Sequence, residues 1–227
     1  MLVVLMVILI WITIVGSLVY LSQESVAPKS DQTAVFLGDS YTEGTGASSP
    51  SNGYVRYAGE VAGLNAKPAA QGGTGIVADN GGAIGAQKFD DRLATTVFPY
   101  DPDVVVIAGG LNDERLIDDG KLTLAQYRAE YDKLIADIRG GLPKAKIVVL
   151  GPFCPESPTS RPTRTILDIR DANKAAAQKA RVPFIDVFYL NDENKAIYIS
   201  ADGNHPNDAG HEYLGEKLGA DLARVLR

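Results

Sequence analysis

Apolar and polar residues alternate along this chain in two distinct patterns. Short apolar runs predict five strands, which lie within residues 33–40, 66–73, 102–110, 145–152 and 182–188. The clearest run holds four consecutive β-branched residues, Val104 to Ile107. Strands that are apolar on both faces are typical of a parallel sheet covered by helices on each side.

Longer segments with apolar residues every three or four positions lie between and after these runs. One helix is predicted from Tyr54 to Leu64, and another starts at a capping box of Thr123 and Gln126 and ends at Gly140 and Gly141. The last helix carries one apolar stripe, which consists of Leu214, Leu218, Leu222 and Val225. Alternating strands and helices predict a doubly wound α/β domain, in which ligands bind beyond the carboxyl ends of the strands.

The first 21 residues form a different kind of segment, because they carry no charged side chain. This length suits a single membrane-spanning helix. A cleaved signal peptide is the alternative, but the start lacks Lys and Arg and no small-residue cleavage site is evident. We therefore expect an uncleaved anchor over 1–21, a polar tether over 22–32 and one catalytic domain over 33–227.

Charge and cysteine content exclude several classes of function. The chain of 227 residues has a formal net charge of -6 and no basic stretch, which disfavours binding to nucleic acid. Cys154 is the only cysteine, so the chain forms no internal disulfide and no cysteine-based metal cluster. The sequence does not indicate an oligomeric state.

Serine chemistry is the candidate activity, because Ser40 directly follows the first predicted strand. A serine hydroxyl needs a base to accept its proton, and histidine is the usual base. The chain has two histidines. His211 falls inside the last helical pattern, whereas His205 precedes Pro206 in a loop, with Asp202 three residues earlier. His205 is thus the predicted base, and Asp202 is its predicted orienting carboxylate.

Acyl transfer also requires donors for the negative oxygen that forms in the transition state. Gly72 and Gly73 follow the second strand and offer backbone N–H groups, while Asn112 follows the third strand and offers a side-chain amide. An ordinary glycine turn and an Asx turn remain the alternatives. Thr42 occupies the second glycine position of the G-x-S-x-G motif, so the ordinary α/β-hydrolase signature is absent.

The order Ser40, Gly72, Asn112, His205 resembles the SGNH (GDSL-type) hydrolases. The segments "GDS", "GLND" and "DGNHP" are similar to the first, third and fifth blocks of that family, and "QGGTG" is similar to the second, with Gln71 where Asn is common. The resemblance implies a flavodoxin-like three-layer α/β/α domain with a five-stranded parallel sheet and without metal or organic cofactor.

The same resemblance implies the roles of individual residues. Ser40 would be the nucleophile, His205 the base and Asp202 its partner. The backbone N–H groups of Ser40 and Gly72 and the side chain of Asn112 would form the oxyanion hole, with Gly73 as the fallback for Gly72.

The predicted function is hydrolysis of small acyl esters, such as lipid esters or O-acetyl sugars of the cell envelope, through an acyl-serine intermediate. An acyltransferase with the same residues and a non-catalytic envelope-binding domain are the alternatives. The proline-rich segment 152–164 is expected to border the acyl pocket. We expect a single-pass membrane protein with an extracytoplasmic catalytic domain, or a secreted enzyme if the leader is cleaved.

Overall fold

The computed structural model describes residues 31–154, 163–190 and 196–227. Five strands are present in these ranges: β1 (Thr33–Gly38), β2 (Asn65–Ala70), β3 (Val104–Ala108), β4 (Lys146–Leu150) and β5 (Phe184–Ile185). The α-helices are α1 (Ser40–Glu43), α2 (Tyr54–Ala62), α3 (Leu93–Thr96), α4 (Leu111–Asp118), α5 (Leu124–Gly141), α6 (Arg164–Ala180) and α7 (Asp208–Val225).

The strands form one parallel sheet in the order β2-β1-β3-β4-β5. This is the strand order of flavodoxin-like folds, so the prediction of a five-stranded parallel sheet is confirmed. The fifth strand is shorter than its apolar run indicated, because only Phe184 and Ile185 pair with β4.

Each face of the sheet is covered by its own helical layer. One core packs alternate residues of β1, β3 and β4, such as Val35, Val105 and Val149, against α5 and α6. The other core packs the intervening residues, such as Phe36 and Val106, against α2 and α7. The predicted three-layer α/β/α architecture is therefore confirmed.

The helices α2 and α7 approach each other closely at two glycines. A Cβ atom on Gly215 would lie 2.6 Å from the Tyr54 carbonyl oxygen, and one on Gly219 would lie 2.8 Å from the Ala58 carbonyl oxygen. Both distances are below van der Waals contact, so side chains at these positions would push the helices apart. This contact fixes α7, and α7 follows the loop that carries His205.

A buried asparagine ties the ends of two strands together. The Asn173 amide group donates to the carbonyl oxygens of Gly109 and Leu150, both at 3.1 Å, and its carbonyl accepts from the Tyr127 hydroxyl at 2.7 Å. All of its hydrogen-bonding groups thus have partners in the core, as burial of an amide requires. Asn173 therefore fixes the backbone at Gly109, where the segment between β3 and Asn112 begins.

The predicted anchor over residues 1–21 and most of the tether lie outside the described residues. Within the ranges that the structure does describe, none of the helices has the length and apolar character needed to cross a bilayer.

Candidate active site

The predicted site residues converge at the carboxyl edge of the sheet. Ser40 is the first residue of α1, directly after β1, and Gly72 follows β2. Asn112 lies in the first turn of α4, one turn beyond β3. Asp202 and His205 lie in the loop that precedes α7. The structure therefore brings all five predicted residues to one edge of the fold.

A continuous chain of hydrogen bonds joins the three predicted catalytic side chains. Ser40 Oγ lies 2.8 Å from His205 Nε2, and His205 Nδ1 lies 2.7 Å from Asp202 Oδ2. With the proton on Nδ1, the ring donates to the carboxylate and Nε2 accepts from the serine hydroxyl. This is the geometry in which an imidazole can remove the hydroxyl proton while a carboxylate fixes its tautomer.

Asp202 is held as an anion by its own loop. Its Oδ1 accepts from the backbone N–H groups of Asn204 and His205, at 2.8 and 2.9 Å, and from the Ser200 hydroxyl at 2.8 Å. Partial burial acts to raise the pKa of this carboxyl, but these hydrogen bonds and the one from His205 outweigh it and hold the pKa well below its ordinary value. Asp202 is thus equipped to stabilise a positively charged imidazole.

Gly72 and Gly73, the two candidates for the backbone N–H donor, differ in their surroundings. A Cβ atom on Gly72 would lie 3.7 Å from the Ser40 Cβ atom, so the Gly72 backbone passes directly beside the serine. Gly73 has a φ of +74° and instead packs against the side chain of Asn80. The Gly72 backbone, and not that of Gly73, thus lies beside Ser40, whose own N–H is at the start of α1 and has no partner within that helix.

Asn112 faces the same edge and is held by two acceptors. Its side-chain amide donates to the Thr74 carbonyl oxygen at 2.9 Å and approaches Asp39 Oδ2 at 3.5 Å. These contacts fix the orientation of the amide beside the Gly72 segment. One of them would have to weaken for the amide to donate fully to a bound oxyanion.

Asp113, the next residue, has a role that sequence did not reveal. Its carboxylate is fully buried and accepts the backbone N–H groups of Ile76, Val77 and Ala78 at 2.7 to 3.0 Å. Burial raises the pKa of Asp113, and the three N–H groups partly offset that effect. Asp113 therefore fixes the loop that follows Gly72. Its neighbour Asn112 instead directs its amide toward the carboxyl edge of the sheet.

Gln71 fixes the outer part of the same loop. Its side-chain amide donates to the Gly85 carbonyl oxygen, and its carbonyl accepts the Gln87 N–H, both at 2.8 Å. Gln71 occupies the position at which asparagine is common in the SGNH hydrolases that the sequence resembles. The longer side chain spans to a segment more than ten residues away and holds it against the end of β2.

A buried acid and a buried guanidinium lie behind Ser40. Asp39 caps α1 by accepting the Tyr41 N–H at 3.0 Å, and burial raises its pKa to about 7. Arg92 Nη2 donates to the Gly38 carbonyl oxygen at 2.5 Å, while its Nε has no hydrogen-bond partner among the described residues. Burial lowers the pKa of Arg92 to about 10. Neither residue was singled out as a structural element of the site by sequence.

The second histidine is excluded from the site by its packing. His211 is fully buried in α7, where Nδ1 accepts the Tyr54 N–H at 3.3 Å and Nε2 donates to the Thr45 carbonyl oxygen at 3.0 Å. Both ring nitrogens are thereby occupied, and burial lowers the pKa of the ring. His211 is therefore a packed residue of the last helix.

No cluster of three His, Cys, Asp or Glu side chains that could hold a metal ion occurs among the described residues. Most of the proline-rich segment over 152–164, which was predicted to border the acyl pocket, lies outside the described ranges.

The chain matches a family model described as the GDSL-like lipase/acylhydrolase family over residues 36–213. It is also 33% identical over 200 residues to a GDSL lipase of Mycobacterium tuberculosis, which covers 84% of this chain and 81% of that protein.

Solved structures of similar fold include a lipase/acylhydrolase and a carbohydrate esterase. The lipase/acylhydrolase from Enterococcus faecalis superposes with a TM-score of 0.64 at 22% identity, covering 85% of this chain and 96% of that one. A family two carbohydrate esterase from Clostridium thermocellum, solved with cellohexaose, gives a TM-score of 0.68 at 20% identity, covering 88% and 66%. At these identities the likeness shows the fold alone.

The raised pKa of Asp39 predicts a pH dependence of stability. Between its ordinary value of 3.8 and about 7, the folded protein retains a proton that the unfolded chain has lost. The free energy of unfolding therefore falls as pH rises through this window, by at most about 1.4 kcal/mol per pH unit from this one group. Asp39→Asn removes this contribution.

We expect the difference in unfolding free energy between Asp39→Asn and the wild-type protein to shift in favour of the variant from pH 5 to pH 8. Urea unfolding at both pH values measures this shift. Titrating groups that do not interact with Asp39, such as His211, are common to both proteins and cancel in the comparison, whereas the charge of Asp113 is one of the causes of the raised pKa of Asp39. A difference that stays constant across the window would show that Asp39 does not titrate there.

Proposed function

The chain belongs to the GDSL-like lipase/acylhydrolase family of serine hydrolases that act on esters, and from that premise we propose that it cleaves small acyl esters through an acyl-enzyme formed on Ser40. The observation that carries the proposal is the hydrogen-bonded chain from Ser40 Oγ through His205 to Asp202. Serine lacks sufficient nucleophilicity without such a base.

In the proposed first step, Ser40 Oγ attacks the carbonyl carbon of the ester while His205 Nε2 accepts its proton. Asp202 stabilises the imidazolium that results, because its low pKa keeps it ionised. His205 then donates the proton to the leaving alcohol, which departs and leaves the acyl group on Ser40. A water molecule, deprotonated by His205, releases the acid in the second half of the cycle.

The oxyanion of each tetrahedral intermediate would be bound by the N–H groups of Ser40 and Gly72 and by the Asn112 amide. Support for this arrangement comes from the close approach of Gly72 to Ser40 and from the orientation of Asn112 toward the Gly72 segment. Fixed donors of this kind stabilise charge without reorganising during the reaction.

For the substrate class, we propose lipid esters or O-acetyl sugars of the cell envelope. The fold is shared with a family two carbohydrate esterase that was solved with cellohexaose, which supports the inclusion of acetylated sugars among the candidates. A panel of p-nitrophenyl acetate, p-nitrophenyl butyrate and acetylated oligosaccharides, with and without added alcohols, would separate these substrates and would separate hydrolysis from acyl transfer.

For the location, we propose that the apolar leader anchors the domain to the membrane. The domain begins with β1, whose first residue, Thr33, lies at the amino edge of the sheet, whereas Ser40 lies at the carboxyl edge. Six residues of strand separate the two edges by about 20 Å. An anchor at this end would therefore join the domain on the side opposite the site, which suits substrates in the envelope beyond the membrane surface.

We expect Ser40→Ala and His205→Ala to lose nearly all ester hydrolysis, about 10³-fold or more in kcat. His211→Ala is the matched control, because it removes the other imidazole. It should lower stability by about 1–3 kcal/mol, since it leaves buried partners unsatisfied, while the folded fraction keeps its kcat. Comparable losses for the two histidine variants would contradict the assignment of the base.

We expect Asn112→Ala to lower kcat by about 10²-fold with a smaller change in KM, because an oxyanion donor acts mainly on the transition state. Steady-state kinetics on p-nitrophenyl acetate measure both constants. A change in KM alone would instead assign Asn112 to substrate positioning.

We expect the full-length protein to fractionate with membranes and a truncated chain that starts near Gln32 to be soluble and active. The uncharged leader of 21 residues would span about 31 Å as a helix, close to the thickness of a bilayer core. Mass spectrometry of the mature N-terminus tests whether the leader is retained. A mature chain that begins after about Ser22 would make the enzyme secreted.

A further inference from the structure

Tyr41 connects the nucleophile to the loop of the proposed base. It follows Ser40 in α1 and is fully buried. Its hydroxyl donates to the Asn204 carbonyl oxygen at 2.6 Å, and its ring centroid lies 5.5 Å from that of His205. The Tyr41 ring is also stacked on the Phe153 ring, with 5.1 Å between centroids and an angle of 3° between the planes.

The loop that carries His205 needs such a connection because much of it faces solvent. The side chain of Asp202 is 45% exposed, and a Cβ atom on Gly203 would meet nothing within 4 Å. The hydrogen bonds of Asp202 to Asn204 and His205 make the loop rigid internally. They do not set the position of the loop relative to α1.

The Tyr41 hydroxyl supplies a link from within the helix that bears Ser40, in addition to the close approach of Gly46, beyond that helix, to His205 and Pro206. Tyr41 is adjacent to Ser40 in the chain, and Asn204 is adjacent to His205. The hydrogen bond between Tyr41 and Asn204 therefore joins the neighbours of the two residues that must meet. The family is named for a Gly-Asp-Ser-Leu motif, and this chain has tyrosine in place of the leucine. Leucine has no donor, so this connection depends on the residue found here.

We propose that Tyr41 is a positioning residue that sets the distance between His205 Nε2 and Ser40 Oγ by binding the Asn204 carbonyl. The inference rests on the proposed function, because it assumes that His205 is the base for Ser40. Burial raises the pKa of Tyr41 well above its ordinary value, so the hydroxyl stays protonated and donates throughout the working pH range.

Tyr54 provides a matched control. It is also fully buried, and its ring also contacts Phe153, at 5.0 Å between centroids. Its hydroxyl shares a 2.8 Å hydrogen bond with Thr42 Oγ1. Tyr54→Phe therefore removes one buried hydroxyl from the same aromatic group without removing a contact to the loop of His205.

The test compares Tyr41→Phe with Tyr54→Phe in full-length protein. We expect Tyr41→Phe to lower kcat on p-nitrophenyl acetate about 10-fold with KM within twofold of wild type, because the base is misplaced but the pocket is intact. The rate at which a fluorophosphonate probe labels Ser40 should fall in parallel. Tyr54→Phe should change kcat and labelling by less than twofold, even if its Tm falls as much.

A Tyr41→Phe kcat within twofold of wild type would overturn the inference, and so would equal losses in the two variants. If Tyr41→Phe lowers the folded fraction, kcat and the labelling rate are measured below its Tm and normalised to the folded fraction, with the same expectation and the same overturning result. If the wild-type protein hydrolyses none of the esters, the proposed function fails separately. The rate at which the fluorophosphonate probe labels Ser40 then tests the role of Tyr41. The inference is overturned if this rate is unchanged in Tyr41→Phe or if the wild-type protein is not labelled at all.

Discussion

The pairing of β1 with two parallel neighbours is the constraint on which the site depends. Gly38, the last residue of β1, is opposite Ala70 of β2 and Ala108 of β3 in the strand register. Adjacent strands lie about 4.8 Å apart, so the segments that follow these three residues begin side by side. Ser40 and the Gly72 segment are each two residues beyond this line. Their proximity is therefore a consequence of register.

Buried carboxylates keep these strand ends in a fixed conformation. Asp113 binds three consecutive backbone N–H groups of the loop after Gly72, which offsets much of the cost of burying its charge. Asp39 caps α1 on the other side, with the Arg92 guanidinium bound to the carbonyl immediately before it. The N–H groups of Ser40 and Gly72 thus lie in segments that these buried hydrogen bonds hold in place. A rigid set of donors is what stabilisation of an oxyanion requires.

The strands and the convergence of Ser40, Asp202 and His205 could be predicted from sequence because their signals are local. A run such as Val104 to Ile107 has few alternatives to a buried strand, and the spacing of Asp202 and His205 within one loop anticipated their contact. The four-residue helix α1 could not be predicted, because one turn is too short to show periodicity. Its buried residues are Ser40, Tyr41 and Thr42.

Residues that act across long separations also escaped sequence analysis. Asp113 binds N–H groups more than thirty residues earlier, and Arg92 reaches the end of β1 from a segment that the hydrophobic pattern left unassigned. The close contact of α2 with Gly215 and Gly219 is likewise visible only when the two helices are placed together. In each case the sequence shows the residue type, but the partner is set by the tertiary fold.

The two aspartates near Ser40, Asp39 and Asp202, have opposite shifts in pKa because they differ in burial and in hydrogen bonding. Asp39 is buried, and with the loss of hydration its pKa rises to about 7, so its charge is costly near neutrality. Asp202 is half-exposed and receives several hydrogen bonds, so its pKa stays low and its charge is retained. A partner for an imidazolium must remain ionised while the proton moves. The solvent-facing loop can provide that carboxylate, whereas the buried strand end cannot, and this difference explains why the acid that supports His205 lies on the exposed side of the site.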